Sequence, residues 1–333
     1  MSTQSLADLL EKAFATRKDL FDERHQTGFR LFNGFTEGRP DLAIDLYART
    51  VLIHHYANPP AEGQPAVDAA QRVIETQLPW VQCILLKTRS GQTAREKQGI
   101  ILHGTTPDNR VLEHGVWYAL DLLMNRDASL YLDTRNLRHW AIENLKGATV
   151  LNAFAYTGSL GVAALAAGAT RVVQLDRNRD FLNLAKESCV LNGFPVHKQD
   201  FLAADFFPAV SQLKRAGSAF DCVFLDPPFF SATAKGTVDL QTNSAQLINK
   251  VRPLIHDGGR LVAINNALFL SGKEYLRTLE SLCADGYLQI EQFIPIPQDF
   301  NGYPETRLSD LPVDPAPFNH PTKIAVLRAR RKG

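Results

Sequence analysis

Residues 149–176 read TVLNAFAYTGSLGVAALAAGATRVVQLD, in which two apolar runs are separated by a glycine-containing turn and a run of small residues. The apolar run Thr149–Ala153 predicts a strand, and the turn after it contains Gly158 and leads into a helix rich in small residues. A second apolar run, Arg171–Leu175, ends at Asp176. A strand, a helix and a second strand in this order form a βαβ unit with parallel strands. The stretch therefore predicts an open α/β sheet whose ligand site lies beyond the carboxyl ends of its strands.

The alternation of helices and apolar strands continues toward the C-terminus. Further strands are predicted at Pro195–Lys198, Ala219–Leu225, Arg260–Ile264, Leu288–Ile294 and Lys323–Arg328. Between the last two strands, residues 295–321 hold seven of the 18 prolines. Because proline lacks a backbone donor, this segment is predicted to be irregular.

The N-terminal region has a different pattern, with an amphipathic helix over residues 4–24 and another helix over 67–78. Short strands are predicted around them at Phe29–Phe32, Leu42–Tyr47, Val51–Tyr56, Val81–Leu86, Gly99–His103 and Val111–Leu122. The sequence thus predicts two domains. A smaller α+β domain over residues 1–125 would serve RNA or substrate recognition, and a larger α/β domain over 126–333 would carry the reaction.

Composition excludes several classes of protein. The 333 residues are 45% hydrophobic and carry a formal net charge of +1, as expected for a globular protein rather than a disordered or strongly basic one. No apolar run is long enough to cross a membrane, and Asp8 and Glu11 precede the first basic residue, unlike in a signal peptide. We therefore expect a cytoplasmic protein. The four cysteines are widely spaced, which predicts free thiols and no metal site.

Three features follow successive strands at the predicted ligand edge. Gly158 would permit either close approach of a ligand or close packing, and its spacing does not match the glycine pattern of a dinucleotide site. Asp176 could accept both hydroxyls of a ribose or cap the next helix. Asp200 follows the predicted third strand, where a side chain can meet the amino group of an adenine.

The most specific motif is FDCVFLDPPFF at residues 220–230. Pro227 and Pro228 fix the backbone after the fourth strand, so that Asp226 projects into the crevice at the strand ends. Phe229 and Phe230 offer flat faces on which an unpaired or flipped base could stack.

The ordered set NAFAYTG, LD, QD and DPPFF resembles class I S-adenosylmethionine-dependent methyltransferases, and more narrowly the bacterial 23S rRNA methyltransferases. The segment LYLDTRNLRHW at 130–140 looks like the LDxRxxR element of that group. The segment LAIDLYARTVLIHHYA at 42–57, with LLKTR at 85–89, is similar to the region that precedes the catalytic domain in the guanine-N7 half of the bifunctional large-subunit rRNA methyltransferase. The resemblance implies a Rossmann-like fold with a seven-stranded, mostly parallel sheet. It also implies S-adenosyl-L-methionine as cofactor and rRNA as substrate, without a metal.

The resemblance also assigns roles to matching residues. The implied cofactor-binding residues are Asp133, Arg135, Phe154, Tyr156, Gly158, Asp176, Asp200 and Asp226. In this assignment Arg135 faces the cofactor carboxylate. The implied catalytic residues, beside the acceptor base, are Asp226, Pro227, Pro228, Phe229 and Asn265. For Arg138 and His139 a solvated helix face is an equally good interpretation.

The absence of a cysteine after the fifth strand predicts which atom of the base accepts the methyl group. C5 of a pyrimidine needs a cysteine nucleophile, which the related cytosine-C5 enzymes carry after the fifth strand. Here that segment reads LVAINNA at 261–267, and its Asn265 and Asn266 are similar to the guanine-N7 subgroup. Guanine N7 already has an in-plane lone pair, so positioning can suffice. We therefore expect a base nitrogen, with guanine N7 favoured; an exocyclic amine stays open.

Other functions remain as alternatives. These are a cytosine-C5 methyltransferase, a small-molecule methyltransferase and a noncatalytic RNA-binding protein that retains the fold. A nicotinamide oxidoreductase would need the phosphate-binding glycine pattern, which is missing. For RNA contact the best local candidate is the basic loop with Lys87, Arg89, Arg95 and Lys97.

Overall fold

The computed structural model describes residues 5–233 and 235–331, and these divide into two compact units. The first unit contains residues up to Asp133 together with Pro297–Leu311. The second contains Thr134–Ile296 and the residues from Pro312 onward. Residues 297–311, which the sequence analysis grouped with the second domain, thus cluster with the first unit.

The first unit is built on a five-stranded sheet in the order β1-β2-β3-β4-β5, with β6 and β7 forming a separate hairpin. Its core is apolar and lies between this sheet and two helices, α1 and α2. The elements are α1 (Leu6–Thr16), β1 (Gly28–Asn33), β2 (Leu42–Tyr47), β3 (Thr50–His55), α2 (Pro60–Gln77), β4 (Cys83–Thr88), α3 (Ala94–Gln98), β5 (Ile100–His103), β6 (Arg110–Glu113) and β7 (Val116–Ala119). A capping box starts α1, because the Ser5 hydroxyl accepts from the Asp8 amide and the Asp8 carboxylate accepts from the Ser5 amide.

The second unit is built on a seven-stranded sheet in the order β10-β9-β8-β11-β14-β16-β15. The neighbouring strands β10, β9, β8, β11 and β14 are parallel, whereas β16 is antiparallel to β14 and to β15. The elements are α4 (Arg135–Asn144), β8 (Thr149–Ala153), α5 (Ser159–Ala166), β9 (Arg171–Asp176), α6 (Arg179–Leu191), β10 (Phe201–Ala203), α7 (Phe206–Arg215), β11 (Phe220–Leu225), β12 (Phe230–Thr233), β13 (Gly236–Asp239), α8 (Ser244–Val251), β14 (Ile255–Asn265), α9 (Gly272–Cys283), β15 (Leu288–Phe293) and β16 (Lys323–Ala329). This confirms the predicted Rossmann-like fold with a seven-stranded, mostly parallel sheet.

The segment Pro297–Leu311 is attached to the first unit by buried polar contacts. It contains one short helix, α10 (Gln298–Asn301). The fully buried Arg17 forms a bidentate ion pair with Glu37, with both hydrogen bonds at 3.0 Å. It also donates to the backbone carbonyl of Asp299 at 3.1 Å. The Thr306 hydroxyl donates to the same Glu37 carboxylate. Because a buried charge is costly unless it is paired, this segment completes the interior of the first unit.

Most predicted strands are present, and β8 has the predicted bounds. Two expectations were wrong, and one hairpin was not predicted. Residues 195–198 do not form a strand, and the third strand is instead β10. The single strand predicted over 111–122 is the hairpin of β6 and β7, because His114 and Gly115 turn the chain with φ of 51° and 76°. The hairpin of β12 and β13 was not predicted.

In the part of the chain that the structure describes, every helix is too short or too polar to cross a membrane.

Candidate functional site

The carboxyl ends of the parallel strands bring together the segments that the sequence analysis singled out. The Tyr156 turn follows β8, Asp176 ends β9, Asp226 follows β11 and Asn265 ends β14. The strands β9, β8, β11 and β14 are direct neighbours in the sheet. These segments therefore share one edge of the sheet, which is where open α/β sheets bind their ligands.

The turn after β8 holds its backbone in an uncommon conformation. Phe154 and Tyr156 have φ of 59° and 51°, in the left-handed region that residues with a side chain rarely adopt. Each such residue costs about 1–3 kcal/mol and persists only where surrounding contacts hold it. Here Phe154 stacks on Phe206, with ring centroids 4.5 Å apart, and Tyr156 meets Phe181 edge to face at 4.5 Å. The two aromatic rings thus fix the path of the turn.

Gly158 serves packing inside the fold. It precedes α5 with φ of 77°, and an added Cβ would lie 2.4 Å from the Cβ of Ala185 and 2.9 Å from Nε2 of Gln174. The Gln174 side chain donates to the Gly158 carbonyl at 3.1 Å, and its own oxygen accepts from Asn152 at 2.8 Å. The missing side chain therefore lets α5 approach β9 and α6, and the direct contacts of Gly158 favour the packing interpretation.

Asp176 links the end of β9 to the Tyr156 turn. Its two carboxylate oxygens each accept a backbone amide at 2.8 Å, one from Tyr156 and the other from Asn178. The cap of α6 is Asn178, so Asp176 is not the helix cap. Burial raises the pKa of the Asp176 carboxyl, although these amides favour its ionised form. The Arg177 amide is a further partner of this carboxylate, which has about four acceptor sites in all, so it can still accept from a ligand.

Asp200 lies before the third strand rather than after it, which corrects the predicted location. It ends a 3₁₀ turn ahead of β10 and is buried, and it accepts from the Arg171 guanidinium at 2.8 Å. Arg171 is the first residue of β9, so this ion pair lies toward the amino edge of the sheet. The residue that does follow β10 is Asp205, which caps α7 by accepting from the Phe207 amide at 3.1 Å. Its signal in the sequence was an aspartate just before an amphipathic helix.

The Asp-Pro-Pro-Phe-Phe segment leaves β11 at the same edge. Pro227 is buried, whereas Phe229 and Phe230 are 47% and 61% exposed. The chain then forms the hairpin of β12 and β13 and returns to Leu240, whose amide donates to the Phe229 carbonyl at 3.0 Å. This amide-to-carbonyl bond closes the hairpin next to the two exposed rings. The rings are therefore held at the edge with exposed faces, as a base-stacking surface requires.

The Asn265 side chain is engaged in hydrogen bonds within the fold, and its catalytic role stays a prediction. It is fully buried, and its amide group donates to the Leu240 carbonyl at 3.0 Å and to the Ser244 hydroxyl at 2.9 Å. Its side-chain oxygen accepts from the Ala267 amide at 2.9 Å. The next residue, Asn266, is only partly buried, and its buried Oδ1 has no hydrogen-bond partner among the described residues. Asn266 is thus the better candidate to contact an acceptor.

Lys323 supports the same strand end from β16. It pairs with Asn265 across the sheet and is fully buried, and its ammonium group donates to the carbonyls of Ala267, at 3.0 Å, and Pro321. Burial lowers the pKa of Lys323 to about 8. The turn that carries Asn266 is therefore held by two contacts, from Asn265 to the Ala267 amide and from Lys323 to the Ala267 carbonyl.

The segment before β8 supplies the remaining predicted residues. Asp133 is the last residue of the first unit, within a 3₁₀ turn, and Arg135 begins α4. Arg138 is fully buried and donates to the Thr134 hydroxyl at 2.8 Å, so the interpretation of this residue as part of a solvated face is wrong. His139 is half exposed and lies 3.4 Å from Glu143.

The cysteines lie away from the carboxyl ends of the parallel strands. All four are free, and the three buried ones are Cys83, Cys189 and Cys222. Burial raises the pKa of the Cys83 and Cys189 thiols to about 11, and that of Cys222 further still. Cys283 ends α9. Because the thiolate is the nucleophile, the buried thiols are poorly suited to covalent catalysis. Within residues 5–233 and 235–331, no cluster of side chains suits a metal ion.

Only part of the basic loop proposed for RNA contact is exposed to solvent. Lys87 is fully buried in β4 and donates to the carbonyls of Asn125 and Asp127, at 2.7 and 2.8 Å, so its predicted exposure is wrong. Arg89 forms an ion pair with Asp127 at 2.7 Å. Arg95 is exposed on α3.

Comparison with known protein families gives one match over most of the chain. Residues 30–295 match the model of the S-adenosylmethionine-dependent methyltransferase family. The match includes every strand from β2 to β15 and hence the whole carboxyl edge described above.

Two curated relatives carry the name ribosomal RNA large subunit methyltransferase I. The one from Vibrio cholerae is 32% identical over 263 residues, which are 76% of this chain and 64% of the relative. The one from Shewanella frigidimarina is 29% identical over 293 residues, which are 86% of this chain and 72% of the relative. The chain thus spans just under two thirds of the length of the Vibrio relative.

Solved structures share the fold at low sequence identity. SMU.776, crystallised as a complex with SAH, has a TM-score of 0.84 at 20% identity and covers 99% of this chain and 83% of its own. The SAM-dependent methyltransferase from Agrobacterium tumefaciens has a TM-score of 0.60 at 17% identity, with 88% of both chains covered. At such identities the likeness supports the fold alone.

The residues at the carboxyl edge fit S-adenosylmethionine. The vicinal hydroxyls of a ribose need two acceptors side by side, and the two oxygens of the Asp176 carboxylate lie side by side at the end of β9. The strained Tyr156 turn beside it is held by packing and by the same carboxylate. Such pre-formed, strained turns cluster at ligand sites.

Proposed function

Since the chain belongs to the S-adenosylmethionine-dependent methyltransferase family, we propose that it methylates a base nitrogen of ribosomal RNA, with guanine N7 as the favoured atom. The observation that carries this proposal is the exposed Phe229 and Phe230 pair, held by the Asp226-Pro-Pro turn at the cofactor edge of the sheet. Two exposed aromatic rings at the end of β11 suit a planar acceptor.

We assign the cofactor contacts from the geometry of the strand ends. Asp176 would accept both ribose hydroxyls, and Phe154 and Tyr156 would line the methionine end. The adenine edge is assigned to Asp205 in place of Asp200, because Asp205 follows β10 and Asp200 is paired with Arg171. Gly158 acts through the packing that holds the turn.

Further contacts to the cofactor are proposed for the segment before β8. Arg135 would face the cofactor carboxylate from the start of α4, where its guanidinium can form charge-assisted hydrogen bonds. Asp133, two residues earlier, and Asp226, after the neighbouring strand β11, would border the cofactor as well.

The choice of nitrogen over carbon follows from the thiols. Methylation of C5 of a cytosine needs a nucleophile that adds to the ring. The turn after β14 offers Asn265 and Asn266 in this position, and the nearest thiol in the neighbouring strand is the buried Cys222. A ring nitrogen with an in-plane lone pair needs no such nucleophile, and correct placement supplies most of the rate.

RNA as substrate rests on the names of the relatives and on the stacking surface. The Vibrio and Shewanella proteins are named as ribosomal RNA methyltransferases. The chain itself has a net charge of only +1, so local surfaces must attract the polyanion.

Catalysis would consist mainly of positioning. When bound, S-adenosylmethionine supplies an electrophilic methyl group on a sulfonium. Phe229 would hold the acceptor base by stacking, and the Asp226 turn would set its height above the sheet. Asn266 would orient the base by hydrogen bonds through its buried, unpaired Oδ1, which has no partner within residues 5–233 and 235–331. The fixed turns around these residues reduce the reorganisation needed for attack.

The decisive experiment is to incubate the protein with labelled cofactor and undermodified rRNA and to analyse the nucleosides by mass spectrometry. We expect labelled 7-methylguanosine, and fully modified rRNA as a control should accept little label. Labelled 5-methylcytidine would contradict the nitrogen assignment. Absence of label from every nucleoside would contradict RNA as the substrate.

The affinity for S-adenosylmethionine is expected to fall at acid pH. Protonation of Asp176 removes an acceptor for the ribose, and because burial raises its pKa, the loss begins at a higher pH than for an ordinary aspartate. The same raised pKa makes this group's contribution to the stability of the ligand-free protein decrease as pH rises. Affinity and this stability contribution thus change in opposite directions.

Calorimetric titrations across acid to neutral pH would measure the affinity. Asp176→Asn is the matched control, because its side chain cannot ionise. The pH dependence of its affinity therefore reports the ionisation of the cofactor itself and serves as the baseline. A wild-type profile identical to that of Asp176→Asn would contradict the role of Asp176.

A further inference from the structure

A second concave site lies along the open edge of the seven-stranded sheet. The edge strand β10 is only three residues long, and a cavity of about 640 Å³ runs beside it between α6 and α7. Its volume is in the range of sites that hold small molecules or single nucleotides. None of the residues assigned to the cofactor or the acceptor lines it.

Positive charge converges on this cavity from several elements. Arg179 and Lys186 come from α6, two turns and hence about 10 Å apart along the helix axis. Lys198 comes from the turn before β10, and Arg171 from the start of β9. Among the described residues, no carboxylate lines the cavity.

The four cations are not equally committed to the fold. Arg171 is bonded to the buried Asp200 at 2.8 Å, and Lys186 lies 5.4 Å from the centre of the Phe201 ring. Arg179 and Lys198 are exposed. The cavity therefore has a surplus of positive charge that can attract an anion.

The floor of the cavity is apolar and carries two aromatic rings, those of Phe201 and Phe220. Leu182, Leu202 and Leu213 line it together with Phe201. A cationic groove beside an aromatic face is the arrangement by which proteins hold single-stranded nucleic acids without reading their sequence.

We propose that this edge cavity binds the phosphate backbone of a single-stranded segment of the RNA substrate, away from the acceptor site. The inference rests on the proposed function, and it adds a contact that positions the RNA without specifying its sequence. It also explains how a chain of nearly zero net charge attracts a polyanion, because the positive charge is concentrated locally.

The test is the salt dependence of RNA binding by the triple variant Arg179→Gln/Lys186→Gln/Lys198→Gln, measured by anisotropy of fluorescein-labelled single-stranded RNA. Each lost phosphate contact on a single strand lowers the slope of log affinity against log salt by about 0.7, so we expect a decrease of about 2. Relative to wild type, the affinity at 0.1 M salt should fall by about 100-fold. Arg171 is left intact because it pairs with a buried carboxylate.

The matched control replaces three cations that do not line the cavity, Lys146, Lys273 and Arg277, each by glutamine. Its slope should stay close to that of the wild type. Melting temperature and S-adenosylmethionine affinity check that the fold is intact, and Lys198→Gln alone, expected to lower the slope by about 0.7, serves if the triple variant does not fold.

The outcomes separate the two proposals. If the wild-type protein methylates RNA and the cavity variants keep its slope, the edge cavity is not an RNA site; an acidic protein partner would fit that result. If the wild-type protein neither binds nor methylates RNA, both proposals fail. A reduced slope with unchanged cofactor affinity supports the edge cavity.

Discussion

Replacing Asp176 by alanine is expected to weaken S-adenosylmethionine binding by about 100- to 10,000-fold. The carboxylate would make two charge-assisted hydrogen bonds to the ribose, each contributing about 1.5–3 kcal/mol, and every 1.4 kcal/mol is a factor of about ten. The variant also loses the acceptor that holds the Tyr156 amide at 2.8 Å, so the turn after β8 should loosen. Isothermal titration calorimetry with purified protein measures the effect.

Two further variants make this result specific. Glu187→Ala removes an exposed carboxylate from the adjacent helix α6 and should bind the cofactor like the wild type. Asp176→Asn keeps one acceptor oxygen and should give an intermediate affinity. If Asp176→Ala binds as tightly as the wild type while its melting temperature is unchanged, the ribose contact is elsewhere.

Replacing Phe229 by alanine is expected to lower kcat/KM for RNA methylation by about 5- to 150-fold. Stacking of a base on an aromatic side chain contributes about 1–3 kcal/mol, and Phe229 is 47% exposed at the end of β11, so its ring is available for this contact. The affinity for S-adenosylmethionine should not change. Initial rates of methyl transfer, measured at saturating cofactor, report the loss.

The Phe229→Tyr variant keeps an aromatic face and should retain most of the activity. Tyr287→Ala is the matched control. Tyr287 is 37% exposed but precedes β15, so it lies at the amino ends of the strands, opposite to the carboxyl ends that carry Phe229. Full activity of Phe229→Ala would remove Phe229 from the acceptor site and leave Phe230 as the stacking residue.

The central strands of the sheet could be predicted because their sequences carry strong signals. β8 is a short, mostly apolar run that ends at a turn, and β11 ends where two prolines stop the chain. β10 lacks both signals, since it is three residues long and only partly buried at the sheet edge. Because the third strand was predicted at residues 195–198, Asp200 was expected after this strand, whereas it precedes β10. Asp205, which does follow β10, was therefore not recognised.

The side-chain contacts of the site could be predicted only in part. Asp176 lies at the end of β9 as the sequence predicts, because strand length and the following turn determine that position. The choice between Asn265 and Asn266 depends on hydrogen bonds to Leu240 and Ser244, which a hairpin brings close only in the folded chain. Likewise, the burial of Lys87 depends on carbonyls 38 and 40 residues further along the chain.

The return of residues 297–311 to the first unit has a consequence for synthesis on the ribosome. Arg17 and the carbonyl of Asp299 are 282 residues apart, so at about 5–20 residues per second the partner of Arg17 emerges roughly 15–55 s later. Until then the nascent N-terminal region holds a cation and Glu37 without their full set of partners. The native interior of this region is therefore completed after translation has passed through nearly the whole methyltransferase sheet.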